Sequence, residues 1–440
     1  MAKKKAGRKK RRGGKKKTSR KASKRSPASA AKKQPLGMVQ GVLTLEIPEA
    51  LDSVREPAEK PKSASRRLGK RRATAADLAK GQREISVSEF FMKNRHLLGF
   101  DSPRKALLTT VKEAVDNALD ACEEAGILPH VDVIIKGVSD NRFRVTVRDN
   151  GPGIIKAQIT KIFGKLLYGS KFHTMKQSRG QQGIGISAAG MYGMLTTGRS
   201  VRITSKPNPK KPAHYYELQI DSKRNEPQIL KYEEVPWDEG PTGTEVVLDL
   251  EAQYKKGKHS VDTYLGQTAI ANPHATLTFV DPDGKRLEWI RSTEQLPKEP
   301  KEIKPHPRGV ELGLLIKMMK STRARNIQSF LKSEFSRVSA NVAAQLLETA
   351  KISPRARPKR VAANFAEDLY RAINSETIRI MAPPTNCISP VGGELIEKSL
   401  RAQLDAEFYT AVTRSPAVYR GNPFQVEAGI AYGNTELRPD

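Results

Sequence analysis

The chain has 440 residues, of which 37% are hydrophobic, a formal net charge of +31 at pH 7, and two cysteines. That length allows about two or three domains with sizeable cores, and the low apolar share points to an unfolded part diluting a folded one. Cys122 and Cys387 are too few for a disulfide framework and sit at no metal-ligand spacing, no apolar run approaches the ~20 residues of a membrane span, and the basic N-terminus lacks the apolar stretch of a secretory signal.

A soluble intracellular protein with two free thiols is therefore expected, in the cytoplasm or nucleoid, or in the nucleus of a eukaryote. Residues 1–35 hold 17 Lys and Arg and no acid, which leaves +14 for residues 36–440. "MAKKKAGRKKRRGGKKKTSRKASKRS" has nothing to bury and is expected to stay disordered. Its charge suits polyanions, held by counterion release without reading sequence; a tail that only aids solubility or localisation is the plainer alternative. The rest of residues 1–84 reads as a linker rich in Ala, Pro, Lys and Arg, in which "VLTLEI" (42–47) alternates like a short strand.

Order is expected from near Ile85. "SVSEFF" holds a Ser-x-x-Glu capping box, Ser86 to Glu89. A second helix begins at Ser102-Pro103 and ends at Gly126. "VDVIIKGV" and "FRVTVRDN" alternate as two strands across a short turn, and "GPGI" breaks the second. "AQITKIFGKLLYGSKFH" reads as helical. "MKQSRGQQGIGISAAGMYGMLTTG" is a Gly-rich loop running into a helix, and "SVRITSK", "HYYELQI" and "TGTEVVLDL" add strands. This order predicts an α/β (α+β) sandwich over residues 85–305, with helices on one face of a mostly antiparallel sheet. Residues 306–375 read as a small all-α insert in four helical segments, "GVELGLLIKMMKS", "NIQSFLKSEF", "SANVAAQLLETA" and "KRVAANFAEDLYRAINS". Residues 376–440 begin a further unit, with "FQVEAGIAYG" as a strand.

Three stretches carry candidate chemistry. In "KEAVDNALDA", Glu113, Asn117 and Asp120 share one helix face by their i, i+4, i+7 spacing. Leu107, Leu108, Val111, Ala114, Val115, Ala118 and Leu119 occupy the arc toward the core. Alone, this is an ordinary amphipathic helix. "RDNGPGI" sets a carboxylate, Asp149, before a turn with Gly151 and Gly153, where a ligand could approach the backbone; a carboxylate suits an exocyclic amine such as that of adenine. Alone, this is a good turn. "RGQQGIGIS" places Gly180, Gly183 and Gly185 before a helix whose N–H groups would receive phosphates. Alone, this is a flexible loop, and it matches neither the Walker phosphate loop nor a dinucleotide fingerprint.

Together and in this order, the three stretches resemble the nucleotide site of the GHKL ATPases, a superfamily that includes gyrase B subunits, MutL, histidine kinases and a heat-shock chaperone. "PTGTEV" is similar to a fourth element, a Thr (Thr244) near the adenine. Within the superfamily, "ISVSEFFMKNRHLLGFDSPRKALLTTVKEAVDNALDA", "YGSKFHTMKQSRGQQGIGISAAGMYG", "APPTNCISPVGGELI" and "NPFQVEAGIAYG" resemble the topoisomerase VI B subunits, the ATPase half of type IIB DNA topoisomerases. The likeness runs from about Ile85 to Gly433, and the tail lies outside it. It implies a GHKL ATP-binding domain at 85–305, a helix-two-turn-helix domain at 306–375 and the N-terminal part of a transducer domain at 376–440.

The resemblance also implies roles. Glu113 would be the general base that orients water. Asn117 would hold Mg²⁺. Asp149 would accept from the adenine amine, with Gly151 and Gly153 in its turn and Thr244 nearby. Ser170 and Lys171 would approach ATP from the leading edge of the lid. Gly180, Gln181, Gln182, Gly183, Ile184, Gly185, Ile186 and Ser187 would wrap the phosphates. ATP binding would pair two B subunits and close a gate on double-stranded DNA, within an A2B2 assembly whose A subunit carries the DNA-cleaving tyrosine. The expected activity is that of an ATP-hydrolysing isomerase that relaxes supercoils.

A later transducer lysine that contacts the γ-phosphate in the family is not matched before Asp440. The alternative is therefore an ATP-dependent DNA-binding dimerisation module without turnover. A histidine kinase would need a phosphoacceptor helix upstream, and His96 in "NRHLLGF" is too short and poorly flanked for one. The helical insert also speaks against a chaperone or mismatch-repair relative. His173 and His214 have no metal partners at usable spacing, so no zinc is expected.

Overall fold

The computed structural model describes residues 74–433 apart from 173 and 222, so the basic tail, the strand expected at 42–47 and His173 lie outside the described residues. The stretch read as linker contains a short helix, α1 (Ala75–Ala79). Thr74 and Asp77 start it reciprocally: Thr74 Oγ1 accepts from the Asp77 N–H and Asp77 Oδ2 from the Thr74 N–H, both at 3.2 Å. At α2 (Val87–Lys93), Ser86 Oγ accepts from the Glu89 N–H at 3.1 Å, as the capping spacing predicts.

Helix α3 (Pro103–Glu124) obeys its sequence signals at both ends. Ser102 caps it, Pro103 fills its first turn, and Gly126 leaves it in the left-handed region at φ 71°. Its apolar arc, including Leu107, Val111, Val115 and Leu119, is buried.

The strands and helices that follow are β1 (His130–Ser139), β2 (Arg142–Asp149), α4 (Lys156–Gly164), α5 (Gly185–Thr197), β3 (Val201–Lys206), β4 (Ala213–Asp221), β5 (Glu226–Val235), β6 (Gly243–Glu251), α6 (Val261–Ala271), β7 (Thr276–Val280) and β8 (Arg286–Trp289). They build an eight-stranded sheet in the order β5-β4-β3-β6-β2-β1-β7-β8. Every pairing is antiparallel except β1 with β7. Alternation turns Val133, Val147, Ile203, Leu218, Leu248 and Phe279 to one face, where they share a core with α3, α4, α5 and α6. The other face carries charges: Asp249 accepts from Arg144 and Arg202, each at 2.8 Å, and Arg148 pairs with Glu245 at 2.7 Å. This is the expected sandwich.

Two helical expectations are corrected. The pattern read through residues 157–173 stays helical only to Gly164. There the backbone lies against Pro227, leaving no room for a Cβ, which would come within 2.4 Å of the Pro227 Cβ. Asn225 then takes both backbone groups of Leu166, accepting from its N–H at 2.9 Å and donating to its carbonyl at 3.1 Å. The last insert segment splits at Phe365, whose φ of −134° and ψ of 14° leave the helical region.

The insert therefore has five helices among the described residues: α7 (Leu312–Ser321), α8 (Ile327–Glu334), α9 (Ala340–Thr349), α10 (Pro358–Asn364) and α11 (Ala366–Asn374). They surround their own core, from Val310 to Ile380. After it come α12 (Gly393–Gln403), β9 (Phe408–Thr413), β10 (Ala417–Tyr419), β11 (Asn422–Phe424) and β12 (Glu427–Tyr432). β9 pairs with β12. Gly429 lets α12 lie close on them: a Cβ there would come within 2.7 Å of Ile396.

Packing of α5 on β6 makes a direct test. A Cβ at Gly193 would sit 2.7 Å from the Asp249 carbonyl oxygen, whereas one at Gly313 in α7 would meet nothing within 4 Å. Gly193→Ala is expected to lower stability by about 1–3 kcal/mol through overpacking. Gly313→Ala should be neutral or stabilise by up to about 1 kcal/mol through helix propensity. Urea unfolding of the two variants checks the contrast.

Candidate functional site

The C-terminal end of β2, the start of β6, the middle of α3 and the loop from residue 166 into α5 enclose a cavity of about 970 Å³. Every candidate residue named from the sequence borders it except Asp120 and Gly151.

Strand alternation sets one end of the cavity. Asp149 follows Val145 and Val147 on the helix-facing side of β2, and across the ladder it stands opposite Thr244 of β6. A carboxylate is thus carried onto an apolar face. Its Oδ1 accepts from the Gly151 N–H at 2.8 Å and from the Thr244 N–H at 3.2 Å, so Oδ2 is the oxygen left for a donor in the cavity. Burial pushes the Asp149 carboxyl up to about 6 against these two bonds. Thr244 is itself buried, with its hydroxyl 3.1 Å from that of Ser205. Gly151 does not border the cavity, and its N–H bonds the Asp149 carboxylate. Gly153 does border the cavity, but the constraint on it comes from β3: at φ 71°, a Cβ would fall 2.5 Å from the Lys206 carbonyl oxygen.

Helix ends and glycines set the other end. The first turn of α5 leaves the N–H groups of Gly185, Ile186 and Ser187 without helical partners, the arrangement that receives anions. Glu113 of α3 presses against this point, because a Cβ on Gly185 would lie 1.7 Å from its Oε2. Burial, and then the neighbouring Asp116, raise the Glu113 carboxyl above its ordinary value. Asn117 is exposed to the cavity opposite Gly180, where a Cβ would stand 3.5 Å from its Oδ1. Gly183, at φ 60°, accepts through its carbonyl from the Tyr168 N–H at 3.1 Å, which closes the loop on itself. Gln181, Gln182 and Ser170 are exposed along it, and Ile184 caps α5. Ile186 is buried in the core cluster while bordering the cavity.

Three side chains are also engaged by the protein itself. The Ser187 hydroxyl lies 2.8 Å from the Ile162 carbonyl oxygen and 3.0 Å from that of Lys165, so it ties α5 to the end of α4. The Lys171 ammonium is engaged by Asp120 and by Glu124. Asp120, the third member of the polar stripe, is buried between Lys171 and Arg179.

Arg179 belongs to a network that sequence reasoning missed. Its guanidinium donates to Asp120 at 2.8 Å, to both oxygens of Glu123 at 2.9 and 3.0 Å, and to Asn272 at 2.6 Å; His274 Nε2 sits 2.9 Å from Glu123. Burial alone would raise the Glu123 carboxyl, but the His274 and Arg179 hydrogen bonds hold it below its ordinary value. These partners come from three separate parts of the chain, and no local pattern joins them. The two thiols are free and buried, and burial pushes that of Cys122 up. His214 contacts the Tyr232 hydroxyl at 3.2 Å. Among the described residues, no cluster of three or more His, Cys, Asp or Glu could hold a metal, and no helix is long and apolar enough to cross a membrane.

The sequence profile described as "Histidine kinase-, DNA gyrase B-, and HSP90-like ATPase" matches residues 103–224, and "Topoisomerase VI B subunit, transducer" matches residues 383–439. Among curated relatives, the type 2 DNA topoisomerase 6 B subunit of Methanosarcina barkeri is 50% identical over 360 residues, covering 82% of this chain and 58% of that one. Its counterpart in Archaeoglobus fulgidus is 51% identical over 352 residues, covering 80% and 58%. The Thermococcus onnurineus protein of the same name is 39% identical over 408 residues, covering 82% and 72%. The chain thus spans 58% of the length of the first two relatives.

Arg179→Ala would leave buried Asp120 and half-buried Glu123 with fewer partners, at an expected cost of about 3 kcal/mol. The lowered Glu123 carboxyl adds a sign. Its contribution is complete above the ordinary value of 4.5 and fades as pH falls through the lower folded value. Urea titrations should therefore show the gap between wild type and variant narrowing below about pH 4.5; a gap that widens there would contradict the network.

Proposed function

The chain belongs to the family of type 2 DNA topoisomerase 6 B subunits, and on that premise we propose that it binds and hydrolyses ATP to drive a type IIB DNA topoisomerase. One observation carries the reading: a half-buried acceptor, Asp149, and an anion cradle at the start of α5 face one cavity, with Glu113 set against the cradle. Asp149 Oδ2 accepts from the exocyclic amine of adenine, and Thr244 holds the carboxylate in place. The N–H groups of residues 180–187 receive the phosphates, with Ser170 and Lys171 at the edge of the loop.

Glu113 orients the attacking water and takes its proton, a role that suits a carboxyl raised by burial. Asn117 offers an amide oxygen beside the cradle. That donor fits Mg²⁺, which is usually held by one or two protein oxygens and completes its shell from phosphates and water. Bound there, the ion would neutralise phosphate charge.

Family membership and the transducer match extend the proposal. Two copies of the chain pair on ATP binding, a DNA-cleaving A subunit completes an A2B2 assembly, and the pairing gates passage of double-stranded DNA inside the cell. Residues 1–35, which are strongly basic, add sequence-independent DNA contact. The domain limits proposed are 85–305, 306–375 and 376–440; the helical insert has a core of its own, which runs on to Ile378 and Ile380. The module without turnover rests only on where the chain stops, and nothing else favours it.

Calorimetry with a non-hydrolysable ATP analogue and Mg²⁺ tests the site, and the absence of any binding heat would sink the proposal. Glu113→Gln is expected to keep nucleotide affinity within a few-fold and to lower turnover by about 10²–10⁴-fold. A variant that still turns over at the wild-type rate would remove Glu113 from the chemistry.

The Asp149 carboxyl also sets a pH dependence. Protonation through about 6 turns an acceptor into a donor, so affinity should fall as pH drops from 7.5 to 5. Without nucleotide the sign reverses: a raised folded value makes the protein gain stability as pH falls from about 6 toward the ordinary 3.8. Asp149→Asn should flatten both curves, and an affinity independent of pH in the wild type would refute the adenine contact.

A further inference from the structure

Between Lys171 and Arg179 the chain leaves the cavity and returns to it. Both feet of this excursion stand on the same residue of α3, because Lys171 and Arg179 each pair with Asp120. Glu124 takes the first foot again at 2.9 Å, and Glu123 takes the second at 2.9 and 3.0 Å. The segment is thus tied at both ends to the helix that carries Glu113 and Asn117.

The far end of the excursion touches a different part of the fold. The Gln177 N–H donates to the Cys387 carbonyl oxygen at 2.7 Å. Its side chain then grips the backbone of Ser389, with Oε1 accepting from the Ser389 N–H at 2.8 Å and Nε2 lying 3.4 Å from the Ser389 carbonyl oxygen. An amide that both accepts from and donates to one residue's backbone reads the orientation of that backbone as well as its position. Ser389's own hydroxyl is buried without a partner among the described residues, so the backbone is what the contact uses.

A third stretch of chain closes the contact. The Ile303 N–H donates to the Met175 carbonyl oxygen at 3.2 Å, and the Lys301 N–H to that of Asn386 at 2.8 Å. Behind this junction lies a second cavity of about 550 Å³, which Gln181 shares with the first. Beyond Ser389, the Val391 and Gly392 N–H groups donate to Glu427 of β12 at 2.8 and 2.7 Å, directly before α12. A connected path therefore runs from Asp120 through Gln177 and Ser389 to the α12–β12 unit.

We propose that Gln177 is a positioning residue: it transmits the nucleotide-dependent state of the loop at residues 171–187 to the C-terminal unit of α12, β9 and β12, by clamping the Ser389 backbone. This rests on the nucleotide-binding reading above. Gln177 touches neither cavity-facing nucleotide groups nor the reacting atoms, so its loss should spare binding and remove the transmitted effect.

Hydrogen exchange on the full chain tests it, with and without a non-hydrolysable ATP analogue and Mg²⁺. In the wild type, nucleotide should slow exchange both at residues 180–187 and at residues 386–404, the latter by roughly fivefold or more, the lower bound of ordinary coupling between sites. In Gln177→Ala, protection at 180–187 and the calorimetric affinity should remain, while the effect at 386–404 falls below about twofold. Gln177→Glu keeps the acceptor for the Ser389 N–H but loses the donor; it should fall between the two, and it carries the test if the alanine variant does not fold.

Persistence of the full distant effect in both variants overturns the proposal, as does a wild type whose residues 386–404 do not respond while 180–187 do. A wild type that shows no binding at all fails the nucleotide reading first, and this inference with it. In a turnover assay, loss of coupling should change kcat and leave KM within about twofold; a rise in KM alone would mean that Gln177 only shapes the binding site.

Discussion

The site depends on a carboxylate that strand geometry places where apolar side chains belong. Val145, Val147 and Asp149 share one face of β2, and the first two are buried against the helices. Asp149 is the last residue of the strand, so its carboxylate meets the edge of the core, where burial penalises its charge. Two backbone N–H groups offset part of that cost, and both come from elements whose positions are then fixed: the turn at Gly151 and the start of β6 at Thr244. Close packing completes the arrangement. Gly243 lies against the Asp149 carbonyl and Gly153 against that of Lys206, each too near for a Cβ. The turn, two strands and the acceptor are one construction, and the cavity is the space it leaves beneath α3.

A second construction, made of glycines, faces it. Gly185 starts α5 where Glu113 already occupies the volume a side chain would need, and Gly183 takes a left-handed conformation beside Tyr168 and Phe172. The glycines of this loop do more than confer flexibility. Two of the three are required by contacts of the protein with itself, and those contacts aim unpaired N–H groups into the cavity.

What could be read from the sequence followed locality. The caps of α2 and α3, the alternation of β1, β2, β3, β4 and β6, and the i, i+4 relation of Glu113 and Asn117 are local rules, and the chain obeys them. β7 was not legible because four of its five residues are buried, which erases the alternation that marks a strand. β5 was missed for the opposite reason, since most of it is exposed at the edge of the sheet. The end of α4 was set by Pro227 and Asn225, about 60 residues downstream of the residues they stop. The turn motif sets Gly151 beside Asp149, and its N–H bonds the Asp149 carboxylate two residues back, while Gly151 itself does not border the cavity.

The polar stripe of α3 shows how one helix divides its charges. Asp116 accepts from the Tyr264 hydroxyl of α6 at 3.2 Å, Asp120 is held by Lys171 and Arg179, and Glu123 by Arg179 and His274. Each is an acid on a largely buried helix, and each is met by a donor from a distant segment. Glu113 is the exception: among the described residues no cation pairs with it, and burial together with Asp116 raises its carboxyl. A fold that supplies partners to four of the five acids on α3, Glu124 included through Lys171, and leaves the fifth against a helix N-terminus in a cavity, has separated the groups that hold α3 in place from the one available for chemistry. The i, i+4, i+7 spacing alone cannot make that separation, because it puts Glu113 and Asp120 on the same face; the basic residues that claim Asp120 lie 51 and 59 positions further along the chain.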